Sequence, residues 1–297
     1  MDVTVIILTY NEEKHVQRCI KNVKPWIRDV FVVDCFSEDR TVEIAKELGA
    51  HVFQNRWEGL YARQFNWALD NLPIQTEWVL RLDADEYLCP ELIKEVKAKL
   101  GMLPQDTTGC VLNLRRVFMG RHIRYGMPKI KLLRLFKYGK ARCEQRLMDE
   151  HIVLLEGRTV EFSGDFADHN LNDIGWWIAK HNGYALREAV ALLDLEYNLL
   201  TSAETFGVLS EQAAMKRAKK KKYARMPLFW RSFAYFVYRY FFEGGFLDGK
   251  EGFLWHFLQG WWYRTLVDAK VWEIKRGSGG DREEMMALLR GKYGMKI

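Results

Sequence analysis

Glu77-Trp78-Val79-Leu80-Arg81-Leu82-Asp83-Ala84-Asp85-Glu86 is the stretch around which the rest of the chain organises. Residues 78–82 form a short, mostly apolar run interrupted by Arg81, the pattern of a buried strand, and three carboxylates follow at once: Asp83, Asp85 and Glu86. Side chains within a strand alternate between faces, but carboxylates just past its end sit on a turn and can converge on one point. In an open α/β sheet that point lies outside the carboxyl ends of the strands, where ligands bind. An Asp-x-Asp pair there suits a hard divalent cation that keeps part of its water shell and takes phosphate oxygens as further ligands. The alternative is a solvated acidic turn capping the helix expected from about residue 90, and a tripeptide alone does not separate the two.

Upstream, residues 3–8 (Val-Thr-Val-Ile-Ile-Leu) are the continuous apolar, largely β-branched run of a strand buried on both faces of a parallel sheet. The polar turn Thr9-Tyr10-Asn11-Glu12-Glu13 leads into a helix expected over residues 14–23, and a second buried strand, 30–33, ends at Asp34. Ser37-Glu38-Asp39-Arg40-Thr41 carries capping chemistry for a helix over 41–48 that Gly49 closes. A third strand at 51–54 and a third helix at 61–72 precede the strand that ends at Asp83. Strands alternating with helices imply βαβ units with right-handed crossovers and a mostly parallel sheet. Residues 9–12, Asp34 and the Asp83–Asp85 turn then share one sheet edge, the place for a nucleotide. The chain has no GxGxxG after its first strand and no GxxxxGK[ST], so phosphate there must be held by a metal and basic side chains.

Downstream, a helix is expected over 90–100, strands over 110–118 and 129–136, a polar turn over 164–170 and a long helix over 172–197. The 129–136 strand alternates basic and apolar residues, which serves either an anionic ligand or a solvated face. With 48% hydrophobic and 28% charged residues in 297, the chain suits one large domain with an appendage and is not disordered in composition. Cys19, Cys35, Cys89, Cys110 and Cys143 are scattered without CxxC spacing, so reduced thiols in a cytosolic protein are expected, with no zinc site and no disulfide framework. The apolar run 3–8 is too short and too closely flanked by charge for a signal peptide. The net charge of +6 comes from one place: residues 216–225 carry seven positive charges and no acid, and without them the chain stands at −1.

That basic run adjoins an aromatic region, with 17 aromatic residues between Tyr223 and Tyr263 out of 41 in the protein. Its apolar segments, 229–242 and 253–267, are interrupted by Arg231, Arg239, His256 and Arg264 and fall short of a membrane span. Short aromatic helices beside a Lys/Arg run fit the headgroup layer of an anionic membrane surface. The alternative is a helical subdomain packed on the catalytic domain or on a second copy in a homo-oligomer. No nucleic-acid-binding motif accompanies the lysines, so nucleic acid is not an expected partner.

Val5-Ile6-Ile7-Leu8-Thr9-Tyr10-Asn11-Glu12, Val32-Val33-Asp34 with Ser37-Glu38-Asp39-Arg40-Thr41, and Asp83-Ala84-Asp85-Glu86, in this order, resemble family 2 glycosyltransferases of the GT-A fold. Trp57-x-Gly59 followed by Gln64-x-Asn66-x-Ala68 is similar to the branch that includes lipopolysaccharide core glycosyltransferases. The resemblance implies an α/β, Rossmann-like GT-A domain over residues 1–200, and composition adds a helical, aromatic-rich region over 201–297, membrane-interfacial or oligomerising. It implies that Thr9, Tyr10, Asn11 and Glu12 line the nucleoside pocket and that Asp34 bonds the base, with uracil the commonest in the family. Asp83 would approach the ribose and metal, Asp85 would ligate Mn²⁺ or Mg²⁺ at the diphosphate, and Arg63 is a phosphate contact or a plain helix-surface arginine. Glu150 is the expected base, with Asp149 the alternative, because related sequences carry His-Glu where this chain has Asp149-Glu150. His169 falls where many such enzymes place a histidine near the metal; a hydrogen-bonded structural histidine is its alternative.

The expected activity is a metal-dependent, inverting transfer from a nucleotide-sugar donor to a glycan or lipid-linked acceptor, as in lipopolysaccharide core or cell-surface glycan synthesis. The expected location is the cytoplasm, peripheral on the inner face of the cell membrane. Two rivals are a catalytically silent, membrane-associated glycan-binding scaffold and a sugar-1-phosphate nucleotidylyltransferase. The second should carry a Gly-rich basic loop after its first strand, which Thr9-Tyr10-Asn11-Glu12 is not.

Overall fold

The computed structural model describes residues 1–145, 150–200, 218 and 222–295. Strand β1 (Val3–Thr9) is buried along its whole length and pairs in parallel with β2 (Asp29–Asp34) on one side and β4 (Trp78–Asp83) on the other. β2 in turn pairs in parallel with β3 (His51–Gln54). The crossovers are α1 (Val16–Val23), α2 (Thr41–Glu47) and α3 (Tyr61–Asn71). Alternation along β1 explains why the run is apolar without a break. Val3, Val5 and Ile7 face the core under α1, whereas Ile6 and Leu8 face the core under α3.

Beyond β4 the sheet continues through the antiparallel β8 (Ile130–Lys137), then β6 (Thr107–Phe118), β11 (Arg158–His169) and the short β5 (Glu86–Leu88). β7 (Arg121–His122) folds back on β6, and β9 (Ala141–Cys143) pairs with β10 (Ile152–Leu154) in a separate ribbon. Helix α4 (Pro90–Lys99) covers β11 from the α1 side. The expected α/β fold, a mostly parallel sheet flanked by helices with a helical aromatic-rich C-terminal region, is present.

One expectation fails. Residues 164–170 were expected as a polar turn, and through His169 they are the end of β11. Phe162, Gly164 and Phe166 alternate inward, and a Cβ at Gly164 would lie 2.5 Å from the Leu92 Cα, so glycine lets α4 sit directly on the strand. The polar residues are matched across the β6 pair, Asp165 with Arg115 at 3.0 Å and Asp168 with Arg116. Composition read as a turn because those cross-strand partners lie about fifty residues away.

The C-terminal part is built on α5 (Ile174–Tyr197), capped by the Asp173 side chain accepting from the Trp176 N–H at 2.9 Å. α6 (Trp230–Val237) widens into a π-turn segment, Tyr238–Phe242, and α7 (Gly249–Trp255) into a second, His256–Trp262, before α8 (Tyr263–Gly277) and α9 (Arg282–Gly291). Ala189, Leu193, Val267, Ile274, Met285 and Leu289 form their shared core, so the apolar face of α5 belongs with helices beyond residue 200. Arg231 and Asp268, both buried, pin α6 to α8 through bonds of 2.5 and 2.8 Å. Among the described residues, no helix is long and apolar enough to cross a membrane.

Candidate active site

The parallel register sets Thr9 opposite Asp34 and Leu8 opposite Asp83, so the expected residues share one sheet edge. Asp34 is fully buried, and its carboxylate accepts from the Thr9 hydroxyl at 2.9 Å, the Ser37 N–H at 2.8 Å and the Ser37 hydroxyl at 2.5 Å. It therefore knits the loop after β2 to the end of β1. Asn11, in the left-handed region at φ 54°, donates its N–H to Ser37 Oγ and accepts from the Glu38 N–H, at 2.8 and 2.9 Å. The Glu12 N–H donates to Thr41 Oγ1 at 2.7 Å, while its carboxylate meets His15 Nδ1 at 2.6 Å. His15 Nε2 accepts from the Leu171 N–H at 2.8 Å, which fixes the imidazole proton on Nδ1 and aims it at Glu12. Tyr10 stands 56% exposed beside this rigid loop.

The acidic centre follows from the next strand pair. Asp83 lies between the guanidiniums of Arg81 and Arg134, each 3.5 Å away and each buried. Phe65 and Phe166 stack under those two guanidiniums at 5.3 Å. Burial alone would raise the Asp83 carboxyl, but Arg81 and Arg134 outweigh it and hold it below its ordinary value. Glu86, 2% exposed, accepts from Arg134 at 2.6 Å and from the Asp83 N–H at 2.8 Å, and so fixes the turn from beneath. Burial, with the Asp83 and Asp168 charges, pushes Glu86 well above the usual carboxylate range. Asp85 accepts from the Asn170 amide at 3.0 Å, and its carbonyl takes the His169 N–H at 3.0 Å and Arg18 at 3.1 Å.

Asp168 completes this centre from the end of β11, opposite Glu86, and was not singled out from sequence, where attention went to its neighbour. Burial and then the Asp85 and Asp83 charges raise its carboxyl, against Arg116 and Lys180. His169 itself turns Nδ1 toward Arg18 Nη1 at 3.2 Å, and burial followed by the Arg18 charge lowers its pKa. Lys180, on α5 and over the Trp176 ring at 4.6 Å, has its pKa lowered by burial but raised overall by Tyr184 first and then by Asp85, Glu12 and Asp168. Glu150 lines the same cleft, and its charge acts on Arg81. Asp149 lies outside the described residues. Arg63 is half-exposed, 3.7 Å from Glu58, and is not part of the cleft wall.

The cleft encloses about 1320 Å³ and runs from these carboxylates along α5 to Arg239 and Arg264 in the C-terminal helices. Among the described residues no group of three His, Cys, Asp or Glu side chains forms a ready cation cage. The chemistry of the donor set still fits a hard divalent ion, because Asp83, Asp85 and Asp168 are oxygen ligands whose mutual repulsion a cation relieves.

Residues 4–148 match the family described as Glycosyl transferase family 2. An uncharacterized glycosyltransferase of Rickettsia felis is 28% identical over 255 residues, 83% of this chain and 83% of that protein. A second, of Rickettsia typhi, is 29% identical over 254 residues, covering 83% and 81%. Among solved structures, residues 1–349 of TarS from S. aureus align with 99% of this chain and 92% of that one at 17% identity and a TM-score of 0.41. Glucosyl-3-phosphoglycerate synthase from Mycobacterium tuberculosis, solved with Mn²⁺ and UDP, aligns with 40% of this chain at 17% identity and a TM-score of 0.30. The aligned part spans only 44% of that synthase.

Proposed function

We propose that this glycosyltransferase, whose residues 4–148 match family 2, moves a sugar from a UDP-linked donor to a hydroxyl of a glycan or lipid-linked acceptor with inversion. The observation that carries the reading is a single cleft wall on which Asp83, Asp85 and Asp168 meet Arg81, Arg134 and Lys180. Carboxylates alone would repel a diphosphate and cations alone would not discriminate it; the mixture suits a diphosphate held beside a divalent ion. Bound Mn²⁺ or Mg²⁺, on Asp85 with Asp83 and Asp168, would neutralise charge on the departing diphosphate. His169 would join it only after leaving Arg18.

The chain's own residues supply the rest. Thr9, Tyr10, Asn11 and Glu12 line the nucleoside, with Asp34 holding that loop in shape through Ser37. Lys180 and Arg134 oppose the charge that builds on the leaving oxygen. Glu150, or the neighbouring Asp149, takes the acceptor hydroxyl's proton as its oxygen bonds to the anomeric carbon and the bond to the diphosphate breaks. One in-line displacement inverts that carbon. Titration of the protein with UDP, with and without Mn²⁺, tests this by calorimetry and thermal shift. Mn²⁺-dependent binding that disappears in Asp85→Ala is expected; absence of UDP binding in the wild type removes the uridine donor.

The C-terminal helices support a peripheral position on the inner membrane face. Trp230 is 74% exposed, Phe242 78%, Phe241 58% and Phe246 49%, exposed aromatics that follow Lys222 and Arg225 in the chain. The remainder of the basic run lies outside the described residues. Vesicles containing phosphatidylglycerol should sediment the protein, and Trp230→Ser with Phe242→Ser should release it. Failure of the vesicles to sediment the wild type would discard the membrane role in favour of a contact between copies, read by sedimentation velocity.

A further inference from the structure

We propose that Arg239 and Arg264, at the C-terminal end of the cleft, bind a phosphate or carboxylate carried by the acceptor; this rests on the transfer reading above. Both side chains line the cleft that holds Asp85 and Asp168. Arg239 is only 4% exposed; its guanidinium donates from Nε to the Gly126 carbonyl at 2.7 Å and interacts with the Tyr235 hydroxyl, and no carboxylate bonds it among the described residues. Its Nη2 is buried without a hydrogen-bond partner among the described residues. A buried cationic donor left in that condition is costly, and natural interiors rarely keep one without a use.

Aromatic rings flank both guanidiniums. Arg264 stacks on Tyr235 at 4.3 Å and on Tyr223 at 5.1 Å, and Arg239 lies 5.2 Å from the same Tyr235 ring. The two rings orient the guanidiniums, and the Tyr223 and Tyr235 hydroxyls take part of their N–H capacity; neutral phenols leave the positive charge itself uncompensated for an oxyanion. Burial draws Arg239 below the ordinary guanidinium range, against Tyr235 and with the Arg264 charge adding to the lowering. Carboxylates do not settle the pair. Asp268 is occupied, accepting twice from Arg231 and once from the Phe229 N–H at 2.8 Å. Tyr235 and Tyr223, and after them Glu188, raise Arg264 against burial, and Glu188 also accepts from the Tyr263 hydroxyl at 3.2 Å.

The backbone at this end is irregular in the same way twice. Arg239 sits in the π-turn segment Tyr238–Phe242, and the second such segment, His256–Trp262, contributes Gln259 to the cleft wall. Wide turns of this kind are rare in helices and frequent at functional sites. Two cations and an open cleft between them and the donor carboxylates fit an acceptor that carries its own negative group.

The test uses the full chain saturated with UDP and Mg²⁺, titrated with inorganic phosphate at constant ionic strength while the unfolding midpoint is followed. The wild type should be stabilised, and Arg264→Gln should need about tenfold or more phosphate for the same response, the scale of one lost charge-assisted contact. Arg264→Lys, which keeps charge without the fork, should fall between; Arg158→Gln, on an exposed ion pair elsewhere, should match the wild type. A phosphate response identical in Arg264→Gln and wild type, or none in the wild type, overturns the subsite. Repeating the titration without UDP separates the readings, because failed UDP binding removes the donor site and leaves the Arg264 comparison intact. If Arg264→Gln instead releases the protein from phosphatidylglycerol vesicles, the anion belongs to a lipid headgroup and the acceptor assignment is overturned.

Discussion

Glu95→Gln tests how the wall that carries Asp168 is held. Glu95 reaches from α4 to β11, where Oε2 accepts from the Ser163 N–H at 2.9 Å, the Ser163 hydroxyl at 3.1 Å and the Gly164 N–H at 2.9 Å. Its other oxygen meets Lys99 Nζ at 2.7 Å. Burial raises the carboxyl, but the bonds from Lys99, Gly164 and Ser163 outweigh it and bring it from 4.5 to about 2. At roughly 1.4 kcal/mol per pH unit that gap caps the contribution at about 3 kcal/mol. Lys99 is 58% exposed, so its share is screened and about 2 kcal/mol is the better expectation. The folded value lies below the unfolded one. The stabilisation is therefore complete above about pH 4.5 and is lost as pH falls toward about 2. Urea unfolding should find the variant about 2 kcal/mol less stable near pH 7, with less than half of that difference left near pH 3. A difference that is the same at both pH values would refute the reasoning, since glutamine removes the charge and little else.

Two further outcomes follow from the packing. Gly164→Ala drives a Cβ to 2.5 Å from the Leu92 Cα, against a backbone that cannot rotate away, and should cost about 1–3 kcal/mol or more in the same assay. Asp268→Asn leaves Arg231 charged and buried at 2% exposure, and a loss of about 3–5 kcal/mol in thermal unfolding is expected, with less than about 1 kcal/mol contradicting it.

The parallel half of the fold was legible because each buried strand announces itself locally and each crossover helix has its own period. Register then put Thr9 beside Asp34 and Leu8 beside Asp83 without further information. The groups that tune the site were not legible for the opposite reason. Arg134 reaches Glu86 from 48 residues away and Arg18 reaches the His169 carbonyl from 151 away. Such antiparallel and end-to-end pairings leave no mark on composition or periodicity. Glu86 stood in the acidic motif but its use was hidden, because only the fold shows that it faces inward beneath Asp83. Asp168 was masked by its neighbour: a histidine beside an aspartate draws attention, although here the aspartate faces the other carboxylates and the ring faces Arg18. Lys180 stands within a helix with nothing local to mark it, and its service to the acidic centre comes only with α5 laid across the cleft.

The 24 residues of α5 span about 36 Å, with Lys180 near one end and Leu192 and Leu193 sealed into the C-terminal core at the other. A stiff rod fastened in this way acts as a gauge between the two halves. Any tilt imposed on α8 or α9 arrives at the acidic centre as a displacement of one ammonium. It also sets the seam for hybrid proteins: a graft joined at residue 200 would part the rod from its bedding, whereas one joined ahead of Ile174 carries lysine, rod and bedding across together.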